Sequence, residues 1–502
     1  MTDGRALRIV TSPERTIEGI RSTIHESRAA GADAVEVRVD RIGADDRGRL
    51  GSLFPAPIDL VATYRSRAEG GEGADRPAER STVLTELAAM PFALVDVEAE
   101  RDLPFADTLS TASTRPRLIV SRHRLSIAEW AETDLEPGPA GRAIAFRKVV
   151  VPATVSELLH RILPALPSDA GGRLTVHTTG PSGPLLRLWA DELGFAAVYC
   201  APPLGDRLLE LGTSADPAQI PVDRLKRDRP RSPPADAALL GRPVAHSLSP
   251  ELFRRWAEDA GLPGVYVPLE VQTVDELREL ARELPRRGFR GVNVTHPWKS
   301  AALDLAGKAS EVARRCGAAN LLVFHPDGAW ADNTDRDAVV RRFRELQASG
   351  RWTDGRVLVV GTGGMAAAAL DGARELGARA AVVGRSPAKV AETARRFEAV
   401  AAEPDGTRAG LIVHTTTVGR IPGVQLDVSL GPLLQPGAHL LDAVYAPGDP
   451  ALRETAERAG ATYEDGTRLL VYQSAETFSR GWGAVPPAER VDSVLKELGC
   501  GG

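Results

Sequence analysis

Eight short β-branched runs, separated by stretches of helical periodicity through the first two hundred or so residues, limit this chain's architecture more than any other feature. They are ALRIVTS from Ala6, AVEVRVD from Ala34, IDLVATYR from Ile58, FALVDVEAE from Phe92, RLIVSRH from Arg117, IAFRKVVV from Ile144, LTVHTT from Leu174 and AAVYC from Ala196. Strands that alternate with helices build a parallel sheet. Eight such units are the count for a (β/α)8 TIM barrel, whose active site lies at the C-terminal strand ends. An open doubly wound sheet has the same alternation and is the competing topology.

At 502 residues the chain exceeds one ordinary domain. The run KRDRPRSPPAD, Lys226 to Asp236, is rich in proline and charge and lacks periodicity, which predicts a linker over 227–236 after a barrel over 1–226. Beyond it, ALLGRP, GVYVPLEV and FRGVNVTH supply strands between helices. RVLVVGTGGMAAAALDGARELG from Arg356 then runs a strand through a glycine-rich turn into an alanine-rich helix, the start of a Rossmann-like unit. A net charge of −5 and the lack of interleaved basic and aromatic residues give no sign of a nucleic-acid or membrane partner. The three cysteines form no CxxC pair, which leaves no thiolate metal site and fits a reducing compartment. The opening MTDGRALRIV has no basic-then-apolar leader, and no apolar stretch approaches the ~18 residues a membrane span needs. A cytoplasmic enzyme without a bound metal is the expectation.

Several strands carry charges that a buried strand would normally exclude. If the strand continues through EVRVD, Glu36, Arg38 and Asp40 share one face and Val35, Val37 and Val39 the other, so the interior receives three ionisable groups. Buried charges are costly unless paired or used, and a structural Glu–Arg pair is the plain alternative. Lys148 stands in a strand of Phe, Ile and Val, where an apolar pocket would favour the neutral, nucleophilic amine. The adjacent Arg147 equally suits an amphipathic surface strand. His123 closes the fifth strand, where a catalytic residue or a structural histidine would sit.

Together these positions resemble type I 3-dehydroquinate dehydratase, over about residues 6–225. EVRVD is similar to that family's ExRxD strand, which implies Glu36 and Arg38 near substrate. TYRSRAEGGE resembles its TxRxxxEGG turn, with Arg65 on the substrate carboxylate and Glu69 at the mouth of the site. SRH gives His123 the general acid/base role, and FRK gives Lys148 the Schiff-base role. LLRLWADELGFAAVYC supplies the substrate-binding Arg187, and SADPAQIP the lid residues Ser214 and Gln219. Arg124 stands where the family usually has aspartate, and Ser214 lies one residue further from Gln219 than usual.

In VVGTGGMAAAA, Gly361, Gly363 and Gly364 let the backbone approach a pyrophosphate at a helix N-terminus, although many folds use such a turn structurally. The next strand ends VVGRSPAK. Arg385, Ser386 and Lys389 stand there without a carboxylate, which suits the 2′-phosphate of NADP or an exposed loop. GRPVAHSLSP, GVNVTHPWKSAA and ADNTD place hydroxyls, amides, a lysine and an aspartate at strand-to-helix junctions, where helix capping also uses them.

Together these motifs resemble shikimate dehydrogenase over about residues 237–500. The resemblance implies a substrate-binding domain at 237–340, joined by C-terminal helices at 470–502, and an NADP-binding domain at 341–469. It gives Lys299 and Asp335 the catalytic roles. Substrate binding falls to Ser247, Ser249, Asn293, Thr295, Asn320, Asn333, Tyr445 and Gln473. The cofactor positions are Gly361, Gly363, Gly364, Met365, Ala366, Arg385, Ser386, Lys389, Thr415, Thr416, Val444 and Gly466. Gly384, His414, Arg420 and Leu469 depart from the family's usual Asn, Asn, Met and Met. The two resemblances describe consecutive steps, 3-dehydroquinate to 3-dehydroshikimate to shikimate. A quinate/shikimate dehydrogenase with an inactive barrel is the alternative, and a non-enzymatic scaffold is a more distant one.

Overall fold

The computed structural model describes residues 5–103, 116–136, 144–204, 219–225, 236–244, 247–262, 264–402, 408–416, 430–445 and 450–500. It divides into two compact units: residues 1–229 with 268–272, and 230–267 with 273–502. Ser214, Arg420 and nearly all of the expected linker lie outside the described residues. Asp236, the last linker position, instead opens a strand.

All eight runs of the first unit form strands: β1 (Leu7–Thr11), β2 (Ala34–Arg38), β3 (Asp59–Thr63), β4 (Leu94–Glu98), β5 (Arg117–His123), β6 (Ile144–Pro152), β7 (Leu174–Thr179) and β8 (Ala197–Cys200). Their order is β7-β6-β5-β4-β3-β2-β1-β8, and every recorded pairing is parallel. An open doubly wound sheet reverses its order part-way. Here each strand instead pairs with its predecessor and β1 also pairs with β8, which makes a barrel. Side chains close the β7–β8 seam. One main-chain bond joins Ala196 N–H to the Leu174 carbonyl (2.9 Å). Thr175 exchanges bonds with the Ala197 carbonyl (3.2 Å) and N–H (2.9 Å), and His177 Nε2 accepts from Tyr199 N–H (3.1 Å).

Alternation along the strands builds the interior in layers. Ile9, Ala34, Val61, Leu94, Ile119, Phe146 and Ala197 form an apolar plug. Two residues further along each of these strands, on the same face, stand Thr11, Glu36, Thr63, Asp96, Ser121, Lys148 and Tyr199. The polar layer therefore lies on the C-terminal side of the plug. One expectation is corrected: β2 stops at Arg38, and Val39–Arg41 is a 3-10 turn. The turn lets Asp40 fold back and accept two bonds from the Arg38 guanidinium (3.0 and 2.8 Å), so the three charges do not line one face.

Two six-stranded sheets follow the barrel in the sequence. The first has the order β10-β9-β11-β13-β14-β12, from β9 (Asp236–Gly241), β10 (Tyr266–Glu270), β11 (Phe289–Val294), β12 (Lys308–Ala309), β13 (Leu321–His325) and β14 (Gly328–Asp332). It is mixed, with β13 antiparallel to both neighbours. The second is parallel, in the order β17-β16-β15-β18-β19-β20. Its strands are β15 (Arg356–Val360), β16 (Arg379–Val383), β17 (Val400–Ala401), β18 (Leu411–His414), β19 (His439–Asp442) and β20 (Thr462–Glu464). Its order reverses between β15 and β18, the crevice where dinucleotides bind in such sheets. The helix Thr467–Trp482 returns to the first sheet, where Trp482 meets Phe253 edge-on at 4.9 Å. Among the described residues, no helix is long and apolar enough to cross a membrane.

Candidate active sites

Among the described residues, Lys148 is the only amine in the polar layer of the barrel, and it is surrounded by charge. Its Nζ lies 2.7 Å from Asp96 Oδ2, 3.7 Å from Glu36 Oε1, and 4.2 Å from the centre of the Tyr199 ring. The expected apolar pocket is thus corrected: the apolar side chains are the plug one layer below, and carboxylates flank the amine. Glu36 is held by the hydroxyls of Thr11 (2.9 Å) and Thr63 (2.7 Å). Asp96 also accepts from Arg65 (2.8 Å) and Ser121. Burial penalises the Asp96 carboxylate, but Arg65 and Lys148 outweigh that and hold its pKa below the ordinary value.

Arg65 is buried against four partners. It donates to Glu69 Oε2 (3.0 Å), Ser121 (2.8 Å) and Asp96, with Glu98 at 3.5 Å. Burial opposes its charge, and the carboxylates more than restore it. Glu69 meets His123 twice, accepting from its backbone N–H (3.0 Å) and lying 3.2 Å from Nδ1. Burial, with Glu98 and Asp96 close by, pushes the Glu69 carboxyl up to about 7 against the pull of Arg65. Burial also drives the His123 imidazole well below its ordinary value, reinforced by the charges of Arg65, Lys148 and Arg38. The proton of this pair therefore favours Glu69 over the imidazole, and Glu69 gains or loses it near neutral pH.

The remaining barrel positions are more dispersed. Arg38 is tied to Asp40. Arg187 donates to the carbonyls of Tyr199, Thr178 and Gly183 from the short helix Gly183–Leu188. Gln219 Nε2 reaches Thr11 Oγ1 at 3.4 Å. Arg124 turns to Asp134 (2.6 Å) and Glu100 (2.9 Å) rather than to His123. Sequence reasoning missed Asp96 and Glu98, although FALVDVEAE carries the same alternating charges in an apolar strand as EVRVD. It also missed Ser121, His177 and Tyr199, each of which is unremarkable in a strand until the partners are seen.

In the second unit, Lys299 opens the helix Lys299–Leu305 and its Nζ lies 2.6 Å from Asp335 Oδ2. Asn320 fixes the other carboxylate oxygen, donating to Asp335 Oδ1 (3.0 Å) and to Thr334 Oγ1 (2.9 Å). Thr334 Oγ1 is 2.8 Å from Thr477 Oγ1, and Thr477 accepts from Asn293 (3.3 Å) and Gln473 (2.8 Å). Tyr266 donates to Asn293 Oδ1 (3.0 Å). Asn333 is buried and donates to the Ala318 carbonyl (2.9 Å). Ser247 accepts from Ser249 N–H (3.2 Å) and from the Tyr445 hydroxyl (3.5 Å). Thr295 follows β11, its methyl so close to Gly241 that a Cβ there would lie 2.2 Å away. Thr477 and Tyr266 were not anticipated, because a helical threonine and a strand tyrosine carry no motif of their own.

The glycine turn lies against this pair. Gly361 has φ +123°, and a Cβ there would meet Thr415 Oγ1 at 2.4 Å. A Cβ on Gly364 would lie 3.3 Å from Lys299 Cδ, whereas Gly363 faces open space. The helix Gly364–Glu375 has no side-chain cap, so the N–H groups of its first turn, which includes Met365 and Ala366, can take an anion. Thr415 donates to the Val360 carbonyl (2.8 Å), and Thr416 Oγ1 lies 2.6 Å from His414 Nε2. The Val444 carbonyl accepts from Gly466 N–H (2.9 Å), and a Cβ on Gly466 would strike the Ala443 carbonyl at 2.5 Å. Past β16, Arg385 and Lys389 are exposed, and Ser386 caps the helix Pro387–Phe397. Open backbone at the turn and cations beyond the second strand fit a dinucleotide with an additional phosphate.

Residues 9–136 match the type I 3-dehydroquinase family, and residues 239–322 match the shikimate dehydrogenase substrate binding domain. The shikimate dehydrogenase (NADP(+)) of Ruegeria sp. (strain TM1040) is 35% identical over 270 residues, covering 52% of this chain and 97% of that protein. The protein of the same name from Methylobacterium radiotolerans is 36% identical over 279 residues, covering 52% and 95%. Among solved structures, shikimate 5-dehydrogenase from Thermus thermophilus in complex with NADP(H) and shikimate is 30% identical. It has a TM-score of 0.47 and covers 52% of this chain and 99% of that one. Dehydroquinate dehydratase and shikimate dehydrogenase from S. pombe is 23% identical with a TM-score of 0.43, covering 99% and 98%.

Proposed function

Because the chain belongs to the shikimate dehydrogenase (NADP(+)) family and carries a type I 3-dehydroquinase domain ahead of it, we propose that it catalyses two consecutive steps. The barrel dehydrates 3-dehydroquinate, and the second unit reduces the resulting 3-dehydroshikimate to shikimate with NADPH. The observation that carries this reading is a lysine–aspartate contact at each site: Lys148–Asp96 at 2.7 Å and Lys299–Asp335 at 2.6 Å. We take residues 1–226 as the dehydratase and 227–236 as the connection. Residues 237–340 with 470–502 are then the substrate-binding part of the dehydrogenase, and 341–469 its NADP-binding part. The bond from Asn293 to Thr477 supports assigning the C-terminal helix this way.

In the barrel, Lys148 gives up a proton to the surrounding carboxylates and its nitrogen attacks the substrate's ketone carbon. The former ketone oxygen leaves as water, and the C=N⁺ bond that forms is an electron sink. His123 takes the proton from the neighbouring C–H, whose electron pair forms the enamine. Those electrons then expel the hydroxyl on the next carbon, which departs as water with a proton from the His123–Glu69 pair. Hydrolysis of the imine frees the product and Lys148. Arg65, Arg187 and Arg38 supply cations for the substrate carboxylate and its surroundings, with Glu36, Ser214 and Gln219 completing the binding set.

In the second unit, bound NADPH supplies the hydride. Lys299, oriented by Asp335, protonates the carbonyl oxygen as it gains negative charge. Ser247, Ser249 and Tyr445 receive the carboxylate end. Asn293, Thr295, Asn320, Asn333 and Gln473 receive the ring hydroxyls. An NADPH-consuming enzyme with free Cys200, Cys316 and Cys500 suits a reducing, cytoplasmic setting. The test is a coupled assay: the purified chain given 3-dehydroquinate and NADPH should yield shikimate. Reduction of 3-dehydroshikimate without turnover of 3-dehydroquinate would mean a silent barrel.

A further inference from the structure

Tyr199 holds an unmatched donor at the centre of the barrel. It comes from β8 into the same polar layer as Glu36, Asp96 and Lys148, so the even-numbered strands contribute one side chain each. Its ring lies under the Lys148 ammonium, 4.2 Å from Nζ. The residue is 4% exposed, and among the described residues its hydroxyl has no hydrogen-bond partner. A buried phenol O–H normally finds an acceptor, and leaving one unmatched is costly.

Side chains hold the backbone on both sides of it: the Tyr199 carbonyl accepts from Arg187 (3.0 Å). His177, itself buried, accepts the Tyr199 N–H at Nε2 (3.1 Å) where the ladder between β7 and β8 has opened. Its Nδ1 then carries the proton, and it too has no partner among the described residues. The rings of the two residues meet edge-on, with centroids 6.0 Å apart. Burial raises the Tyr199 pKa well above the ordinary value, and the Glu36 and Asp96 carboxylates reinforce this, so the phenol stays a donor at any working pH.

We propose that Tyr199 is a substrate-binding residue of the Lys148 site. Its hydroxyl donates to the ring-hydroxyl oxygen on the carbon next to the one Lys148 bonds, and His177 acts as the positioning residue that holds its backbone. The substrate class is a polyhydroxylated cyclic keto acid. The assignment rests on reading Lys148 as the imine-forming residue. With Nζ 4.2 Å from the ring centre, a group bonded to it would lie beside the Tyr199 ring, and the hydroxyl at the ring's edge would be in reach of a neighbouring substituent. A site built to hydrogen-bond a hydroxyl discriminates strongly against ligands that lack it, because the donor is then left unpaired.

Tyr199→Phe keeps the ring under Lys148 and removes only the hydroxyl. Removing an unmatched buried donor should leave the free protein as stable as wild type or more so, while binding weakens. That combination separates a binding role from a structural one. The measurements are calorimetric affinity for 3-dehydroshikimate in a Lys148→Ala background, with and without Tyr199→Phe, and thermal unfolding of each protein. We expect a loss of affinity of about tenfold with an undiminished unfolding temperature. An analogue lacking the hydroxyl should bind both proteins equally. Affinity within twofold between the two proteins would overturn the proposal, as would a lowered unfolding temperature in the ligand-free Tyr199→Phe protein. Borohydride trapping on the otherwise unmodified chain reads the other assignment separately. An adduct missing from Lys148, with the affinity loss intact, would refute the imine while sustaining the role of Tyr199.

Discussion

Replacing Glu69 with glutamine gives the sharpest test of how the barrel handles protons. Glu69 is buried beside Glu98 and Asp96, and its carboxyl is pushed up to about 7 from an ordinary 4.5. Each pKa unit is ~1.4 kcal/mol, so the ionised form is disfavoured in the folded barrel by about 3 kcal/mol relative to the unfolded chain. The folded value lies above the unfolded one. The stabilising contribution is therefore complete below pH 4.5 and is lost as pH rises through about 7. Glu69→Gln cannot ionise, so its barrel should become more stable than wild type as pH increases from 5 to 8, with the gap approaching ~3 kcal/mol at the upper end. Hydrogen-exchange mass spectrometry on β5 and β6 peptides across a urea series would read the barrel apart from the second unit. The same proton should appear in catalysis. If ionised Glu69 is the active form, wild-type kcat/KM for dehydration rises through pH 7. Glu69→Gln should show a flat profile with a plateau lowered ~100-fold. A stability gap independent of pH, together with an unchanged acid limb in Glu69→Gln, would refute the reasoning.

Four further outcomes are expected. Borohydride added with 3-dehydroquinate should trap a covalent adduct at Lys148, and Lys148→Ala should abolish both adduct and dehydration; full activity in that variant would rule out the imine. Lys299→Ala and Asp335→Asn should each lower shikimate oxidation by about a hundredfold or more while dehydration continues, as two separate cores predict; loss of both activities in a folded variant would count against that independence. Arg385→Ala should weaken NADPH by at least about tenfold and leave NADH binding unchanged, and equal use of both cofactors by the wild type would disprove the assignment. Arg124→Asp should leave dehydration active and move the His123 titration by no more than about one pH unit, because Arg124 is already matched by Asp134 and Glu100; NMR titration of both proteins decides it, and a wild-type barrel active only after the exchange would refute it.

The barrel was legible because its signal is local. Each strand is a β-branched run, and each polar interior residue follows an apolar one by two positions, as with Ile9 and Thr11 or Phe146 and Lys148. What escaped was contact-dependent. EVRVD reads as a continuous strand, yet it ends at Arg38, where a turn brings Asp40 back onto the guanidinium. Lys148 reads as lying in an apolar pocket, because its strand neighbours are apolar, but its spatial neighbours come from β2 and β4. His414 reads as a departure from asparagine. In the structure it is wholly buried, with Nδ1 2.8 Å from Asp442 and Nε2 2.6 Å from Thr416. The imidazole thus spans two polar partners, a compensation that no local pattern announces.

The two lysines show why similar pairs suit different tasks under the proposed assignments. Lys299 and Asp335 form a nearly isolated couple at the mouth of a crevice. The Lys299 side chain is 19% exposed, and Asn320 steadies the far carboxylate oxygen. An ammonium held this way can give a proton to an oxygen that becomes anionic and can be recharged from solvent. Lys148 is 3% exposed and shares its carboxylate with Arg65 and Ser121. A nucleophilic amine must lose its proton before it attacks, and solvent cannot readily take that proton here. The proton has to pass to the carboxylates in contact with the amine, Asp96 at 2.7 Å and Glu36 at 3.7 Å, while Arg65 offsets the charge of Asp96 without carrying the proton itself. On this argument, the dense charge of the barrel is the route by which one amine alternates between nucleophile and leaving group in a site closed to water. Replacing Asp96 with asparagine should then slow imine formation more than it weakens substrate binding.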